Sequence, residues 1–291
     1  MKYTNLVRQH WAALRALLVL TVIVGGAYPA FIWLAAQLPG LNHRADGSIV
    51  EVGGKPVGSS LIGQLFTDAD GKPLPQYLQS RPSAAGNGYD PMATSASNLG
   101  PESILDAPDK PSLLTQVCTR SADVGTLDKV NGARPFCTGG GVGAVLSVIG
   151  PRDTSGPTAG QVVHPVRVVS VNEPCDTTKT PFLATYEGVR VECARPGEDY
   201  TVGQLVPVHG AATDAQVPAD AVTASGSGLD PDISPAYADL QVNRIAQTRG
   251  IGADQVRAVI AANTDGRTLG FMGEPSVNVL AVNVALDQLA R

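Results

Sequence analysis

The sequence predicts an α+β protein: one N-terminal transmembrane helix, then an extracytoplasmic mixed α/β domain carrying a β-rich, disulfide-stapled insert. Three observations predict it. Residues 16–38 form an uncharged, largely apolar run. Four cysteines, Cys118, Cys137, Cys175 and Cys193, fall in two similar brackets. Finally, β-branched runs punctuated by Gly, Pro and Asp give way after residue 234 to segments of helical periodicity. Composition agrees with many turns and short elements, because 32 Gly and 22 Pro make up almost a fifth of 291 residues. Charged residues are 16% and the net charge is −5, which leaves neither a basic field for nucleic acid nor a disordered acidic tail.

The run ALLVLTVIVGGAYPAFIWLAAQL (16–38) rises about 34 Å as a helix, enough for a hydrocarbon core of about 30 Å. Trp11 and Trp33 stand near its ends, where amphipathic rings suit the interfaces. A cleaved signal peptide would have an apolar region of about 7–15 residues and an Ala-x-Ala site, and this run ends without one. Lys2, Arg8 and Arg15 precede it, whereas Arg44 and then Lys55 follow. The positive-inside rule therefore places the N-terminus in the cytoplasm and everything beyond about residue 40 outside. Gly25, Gly26 and Ala30 lie within the span, and Gly26-xxx-Ala30 is a small-xxx-small spacing that lets a second helix approach closely.

Residues 48–66 alternate around Gly53-Gly54 and read as a hairpin followed by an extended segment. Residues 76–101 hold few periodic apolar positions and read as a long irregular surface loop. The runs 142–150, 162–171 and 183–193 read as strands of a small β-rich unit. All four cysteines belong to it. Their spacing is too wide for a zinc site, and an exterior location favours disulfides. Of three possible connectivities the local pairs 118–137 and 175–193 are the simplest. Beyond them, Ser234 and Pro235 open a helix that Gly250 ends, 253–262 forms a second, and 276–290 ends as a third after one strand-like turn.

Chemistry-bearing motifs are scarce. The four histidines (His10, His43, His164, His209) show no metal-binding spacing, and Gly139–Gly143 lacks the Gly-Lys-Ser/Thr of a phosphate loop. Residues 224–228 read Ala-Ser-Gly-Ser-Gly, not a nucleophile elbow. The segment VTASGSGLDPDISP (222–235) reads as turn chemistry: Gly226 and Gly228 for positive-φ turns, Asp230 and Ser234 for local backbone bonds, Pro235 for the helix start. Asp230 and Asp232 read as turn formers rather than an acid–base or calcium pair.

Four blocks occur in order after the span: GSSLIGQLF (58–66), SRPSAAGNGYDPMATSASNLGP (80–101), VPADAVTASGSGLDPDISP (217–235) and VNVLAVNVALDQL (277–289). Together they resemble KdpC, the C subunit of the bacterial Kdp potassium-transporting ATPase. The resemblance divides the chain into a cytoplasmic N-terminus (1–15), the span (16–38), a KdpC-like domain (39–101 and 217–291) and the cysteine-bearing insert (102–216). Typical members have a shorter, helical stretch in place of that insert. It also makes Ser225, Gly226, Ser227, Gly228, Leu229, Asp230, Ser234 and Pro235 a family-motif loop. The implied function is that of a non-catalytic accessory subunit of a high-affinity potassium pump. Its implied partners are a channel-like potassium-binding subunit, a P-type ATPase subunit and a small single-span subunit, with membrane lipid around the helix. ATP and potassium would be handled by the complex, with no cofactor or metal bound directly here. The rival reading from another class is a membrane-tethered extracellular hydrolase or binding module, for which the helix is only an anchor.

Overall fold

The structure is a computed structural model that describes residues 2–93, 102–210, 212 and 214–289. It divides into two compact units, Met1–Leu61 and Ile62–Arg291. The first unit begins with one continuous helical rod: α1 (Lys2–Val22), a π-helical segment (Ile23–Ala27) and α2 (Tyr28–Ala36). The helix thus starts well before the uncharged run and ends two residues short of its expected limit. Its stretch Asn5–Ala36 has mean hydropathy 2.1 and none of that apolar window is buried. A short helix α3 (Asn42–Ala45) follows. Strands β1 (Ile49–Val52) and β2 (Lys55–Ser59) then pair antiparallel across Gly53-Gly54, as the alternation predicts.

Among the described residues, the second unit contains four α-helices, three of them beside a small sheet, and a separate five-stranded sheet. In chain order the elements are α4 (Leu113–Asp128), β3 (Val145–Ile149), β4 (Arg167–Pro174), β5 (Thr185–Tyr186), β6 (Val189–Ala194) and β7 (Gln204–Pro207). They continue with β8 (Asp232–Ile233), α5 (Pro235–Arg249), α6 (Ala253–Ala262), β9 (Thr264–Asp265), β10 (Ser276–Asn278) and α7 (Val279–Leu289). The five strands run β5-β6-β4-β3-β7, with β4–β6 the parallel pair and the rest antiparallel. Every residue of Val145–Val148 is buried, which is why β3 reads as an unbroken apolar run. Val145 and Val169 pack on one side of this sheet and Leu146 and Val168 on the other. The small sheet, β8-β10-β9, sits beside α5, α6 and α7, whose core includes Val242, Ile245, Val256, Val282 and Leu286.

Disulfides Cys118–Cys137 and Cys175–Cys193 join the local pairs. The C-terminal helices follow the sequence closely. Ser234 Oγ accepts from Tyr237 N at 3.1 Å as the cap of α5, Gly250 ends it with φ 66°, and α7 follows the brief strand β10. Ala290, the expected last helical residue, lies outside the described residues.

Two expectations need correction. The segment 102–216 is not uniformly β-rich, because α4 occupies 113–128, and strand β7 was not anticipated at all. The buried residues of α4 are Thr115, Cys118, Ser121, Gly125 and Asp128, a helical face of small and polar side chains that no hydrophobic period reveals. The irregular segment from residue 76 is not wholly at the surface: Leu78, Gln79, Ala85 and Tyr89 are buried, whereas Ala84, Gly86, Asn87 and residues 91–93 are exposed. Its residues 94–101, part of the quoted family block, lie outside the described residues. Side chains from the helices satisfy this loop's backbone, which is what lets a loop be buried. Asn283 bonds both N–H and C=O of Leu78 (2.8 and 2.9 Å), and Gln241 does the same for Gln79 (2.7 and 3.2 Å).

Candidate functional site

The motif blocks converge on one clamp within the second unit. Ser225, 3% exposed, is its hub: its Oγ accepts from Gly228 N (2.9 Å) and Asp230 N (3.3 Å) and meets Ser227 Oγ at 3.3 Å. Ser227 Oγ donates to Asp230 Oδ1 at 2.9 Å and accepts from Leu229 N at 3.1 Å. The first loop closes over this turn. Ser225 N donates to Pro82 O (2.7 Å), and Ser83 Oγ donates to Gly228 O (2.7 Å). Arg81 bonds Asp230 Oδ2 at 3.0 Å and reaches the carbonyls of Thr223 and Ala224. Tyr89 donates its phenol to Arg81 O at 2.8 Å, and burial pushes that phenol up to about 12.

The earliest block joins through Gly63, whose N–H donates to Leu229 O at 2.9 Å. A Cβ on Gly63 would stand 2.3 Å from both Asp230 O and Tyr89 Cε1, so only glycine fits. Gly228 adopts φ 77°, as expected of the motif, and a Cβ there would lie 2.6 Å from Ala85 Cβ. Gly226 does not take a positive φ and has open space around it. The turn needs only one of the two glycines for its backbone. Ser234 caps α5 and also bonds Asp220 through N and Oγ (2.7 and 2.9 Å), and Pro235 begins the helix. Asp232 is bonded to Ser276 Oγ and Asn278 Nδ2, both at 3.0 Å. Asp230 and Asp232 therefore hold separate partners and do not form an acid–base pair.

A second tie, between residues far apart in sequence, escaped the sequence reading. Arg244 Nε meets Asp128 Oδ1 at 2.7 Å with both side chains buried, joining α5 to α4. Arg244 also donates to the carbonyls of Pro75 and Tyr77 and to Gln241 Oε1. Asp128 Oδ2 has no hydrogen-bond partner, and burial outweighs the adjacent guanidinium, raising this carboxyl above its ordinary value. Arginine and aspartate 116 positions apart give no sequence signal of their pairing.

In the first unit, Gly25 and Gly26 occur inside the π-helical segment, with Tyr28 N bonded five residues back to Ile23 O. Pro29 follows immediately and supplies no N–H, so the widened turn accommodates the bond that an α-helix would lose there. Nothing lies within 4 Å of a Cβ built on Gly26. Ala30, one turn on, is exposed, as are residues 5–34 throughout. Trp11 and Trp33, both exposed, are separated by about 33 Å of helix rise, a spacing suited to two membrane interfaces.

Among the described residues, no group of three or more His, Cys, Asp and Glu could hold a metal ion. Apart from Arg81 Nε, which is buried without a hydrogen-bond partner, the clamp's polar side chains bond one another and backbone, and the arrangement joins the two loops.

The family model for the K+-transporting ATPase c chain, KdpC, matches residues 10–132 and 201–288. It therefore takes in α4 as well as the four blocks, save the last residue of the fourth. Among similar proteins, the potassium-transporting ATPase KdpC subunit of Kineococcus radiotolerans is 36% identical over 287 residues, 99% of this chain and 97% of its own length. The KdpC subunit of Streptomyces coelicolor is 36% identical over 98% of this chain and 95% of its own. That of Mycobacterium tuberculosis is 35% identical over 97% and 99%. At these coverages the alignments extend across the stretch 133–200 that the family model leaves unmatched.

Proposed function

The chain belongs to the KdpC family and is an accessory subunit of the potassium-transporting ATPase, and from that premise we propose a non-catalytic role in assembly, with ATP hydrolysis carried by a partner subunit. The observation that carries this reading is the apolar rod Asn5–Ala36, whose apolar window is 0% buried and which contains a π-turn at Gly25 and Gly26. Its partners are then a channel-like potassium-binding subunit, a P-type ATPase subunit and a small single-span subunit, with lipid around the remaining helix surface. ATP and potassium belong to the complex, and any influence of this chain on nucleotide affinity passes through a subunit in contact with it.

Positive-inside charge and the two disulfides support a cytoplasmic N-terminus with the domain outside, since disulfides persist in oxidising compartments. In this arrangement Gly25, Gly26 and Ala30 form the face that docks on a partner helix. The tethered hydrolase or binding module is not favoured by the family membership.

The test is purification of the tagged full-length chain from potassium-starved native membranes in mild detergent. A multi-span subunit and a P-type ATPase should accompany it with potassium-stimulated ATP hydrolysis, and recovery of the chain alone would refute the reading. Gly26→Leu, at a position where an added Cβ has nothing within 4 Å among the described residues, should lower the yield of complex while leaving the domain folded. An undiminished yield would remove the helix-face assignment.

A further inference from the structure

We propose that Cys175–Cys193 is a thiol–disulfide exchange site, open on the folded chain to an attacking thiol, and that Cys118–Cys137 is closed to the same reagent. The bridges Cys118–Cys137 and Cys175–Cys193 close loops of nearly equal separation, 19 and 18 residues, so chain entropy does not distinguish them. Their surroundings do. Cys175 is exposed and Cys193 half-buried, whereas Cys118 is 1% exposed and Cys137 half-buried. Exchange needs access to one sulfur and a thiolate that can leave from the other. At Cys118–Cys137 both are denied: Cys118 cannot be approached, and attack on Cys137 would expel a thiolate at Cys118, shielded from the water that would stabilise its charge. The loop bearing Cys137 is also held on α4, where Thr119 Oγ1 donates to Gly141 O at 2.9 Å and Thr115 Oγ1 accepts from Gly143 N at 3.1 Å. At Cys175 the approach is from solvent, and the thiolate it expels, Cys193, is only half-buried.

The backbone adds a second, independent observation: the fold around this bridge does not depend on it. Cys175 N donates to Ala194 O at 2.9 Å, and Pro174 and Ala194 are partners in the β4–β6 ladder, so the two sulfurs stay adjacent when the bond opens. The loop that follows is fixed at both ends, by Thr178 N donating to Pro174 O at 2.8 Å and Phe182 N donating to Glu173 Oε2 at 2.9 Å. The bridge can therefore break and re-form on the native chain.

The step is a two-electron exchange with a dithiol, or with two molecules of a monothiol. One thiolate of the reagent attacks Cys175 Sγ, the Cys175–Cys193 bond breaks, and Cys193 leaves as a thiolate that takes up a proton. The second thiol attacks the mixed disulfide and releases Cys175. The bridge is thereby reduced to two thiols and the reagent oxidised to its disulfide, and an oxidised reagent runs the same steps in reverse to make the bridge. It follows that Cys118–Cys137 must close before α4 packs, whereas Cys175–Cys193 is made or repaired afterwards.

The experiment treats the purified full-length chain in detergent with dithiothreitol, alkylates free thiols at intervals and maps them by mass spectrometry. Alkylation of Cys175 and Cys193 should run about tenfold or more ahead of that of Cys118 and Cys137, with the near-ultraviolet circular dichroism of the chain retained. Equal rates, earlier opening of Cys118–Cys137, or loss of that signal when Cys175–Cys193 opens overturns the proposal. In cells, Cys193→Ser removes the thiol that leaves in the forward step and should trap a mixed disulfide at Cys175. A protein-sized adduct identifies an oxidoreductase as the source of the thiol, and a low-mass adduct identifies a free cellular thiol; either supports the site. Cys175 recovered only as a free thiol overturns it.

Discussion

Removing the Ser225 hydroxyl tests whether the motif loop is a structural clamp. Ser225→Ala leaves Gly228 N, a buried donor now bonded at 2.9 Å, without its acceptor, and also frees the longer 3.3 Å bond from Asp230 N. A buried donor left unsatisfied costs about 1–3 kcal/mol, and the weaker, part-buried bond adds less than about 1 kcal/mol. The expected loss is therefore about 2–3 kcal/mol. In a unit of some 230 residues, Ile62–Arg291, each kcal/mol shifts Tm by about 2–4 °C, so the drop should be about 4–12 °C. Circular dichroism at 222 nm on the full-length chain in detergent follows it, supported by the urea midpoint. Ser227→Ala, which removes a more exposed hydroxyl, should lose about 0.5–1.5 kcal/mol. If Ser225→Ala retains its stability within 0.5 kcal/mol while pump activity falls, the clamp argument is wrong and the loop contacts a partner or ligand instead.

Gly63→Ala must push Asp230 and Tyr89 aside and should destabilise by about 1–3 kcal/mol, whereas Gly226→Ala, with open space, should be near neutral in the same melts. Equal effects of the two would contradict the close approach at Gly63. Replacing Cys118 and Cys137 by Ser opens a loop of separation 19 and should cost about 3 kcal/mol on the chain-entropy estimate, read from denaturant midpoints. Asp128 has its carboxyl raised in the folded state, so its contribution is fully present below the unfolded value of about 3.9 and is lost as pH rises through the folded value. The stability of the native chain relative to Asp128→Asn should accordingly fall across that window. A relative stability that grows with pH would show that the Arg244 attraction outweighs burial.

The legible elements were those whose signal is local. A 23-residue uncharged run, an N-cap Ser followed by Pro, a terminal Gly and β-branched runs each carry their physics in adjacent residues, and α5, β1–β2 and the membrane-length helix follow. Paired cysteine brackets narrowed the disulfides to the simplest connectivity for the same reason: short loops close most readily. By contrast, α4 was hidden because its buried face is Thr, Cys, Ser, Gly and Asp, which periodicity in hydrophobicity does not register. The π-turn was equally silent, since Gly-Gly before Pro permits several local solutions.

What the sequence by itself determined is the inventory: an apolar rod, turn-forming motifs in a recognisable order and cysteines placed for local bridges. Tertiary structure alone decided what those motifs do. Ser225 N reaches Pro82 O and Arg81 reaches Asp230 only because residues 143 and 149 positions apart approach within hydrogen-bond distance, and Leu78 and Gln79 are buried only because Asn283 and Gln241 arrive from distant helices to satisfy their backbone. Such partners carry no local signature. The free energy of a buried polar group depends on whether its complement is delivered by the fold, and that is a property of the packed chain rather than of any segment.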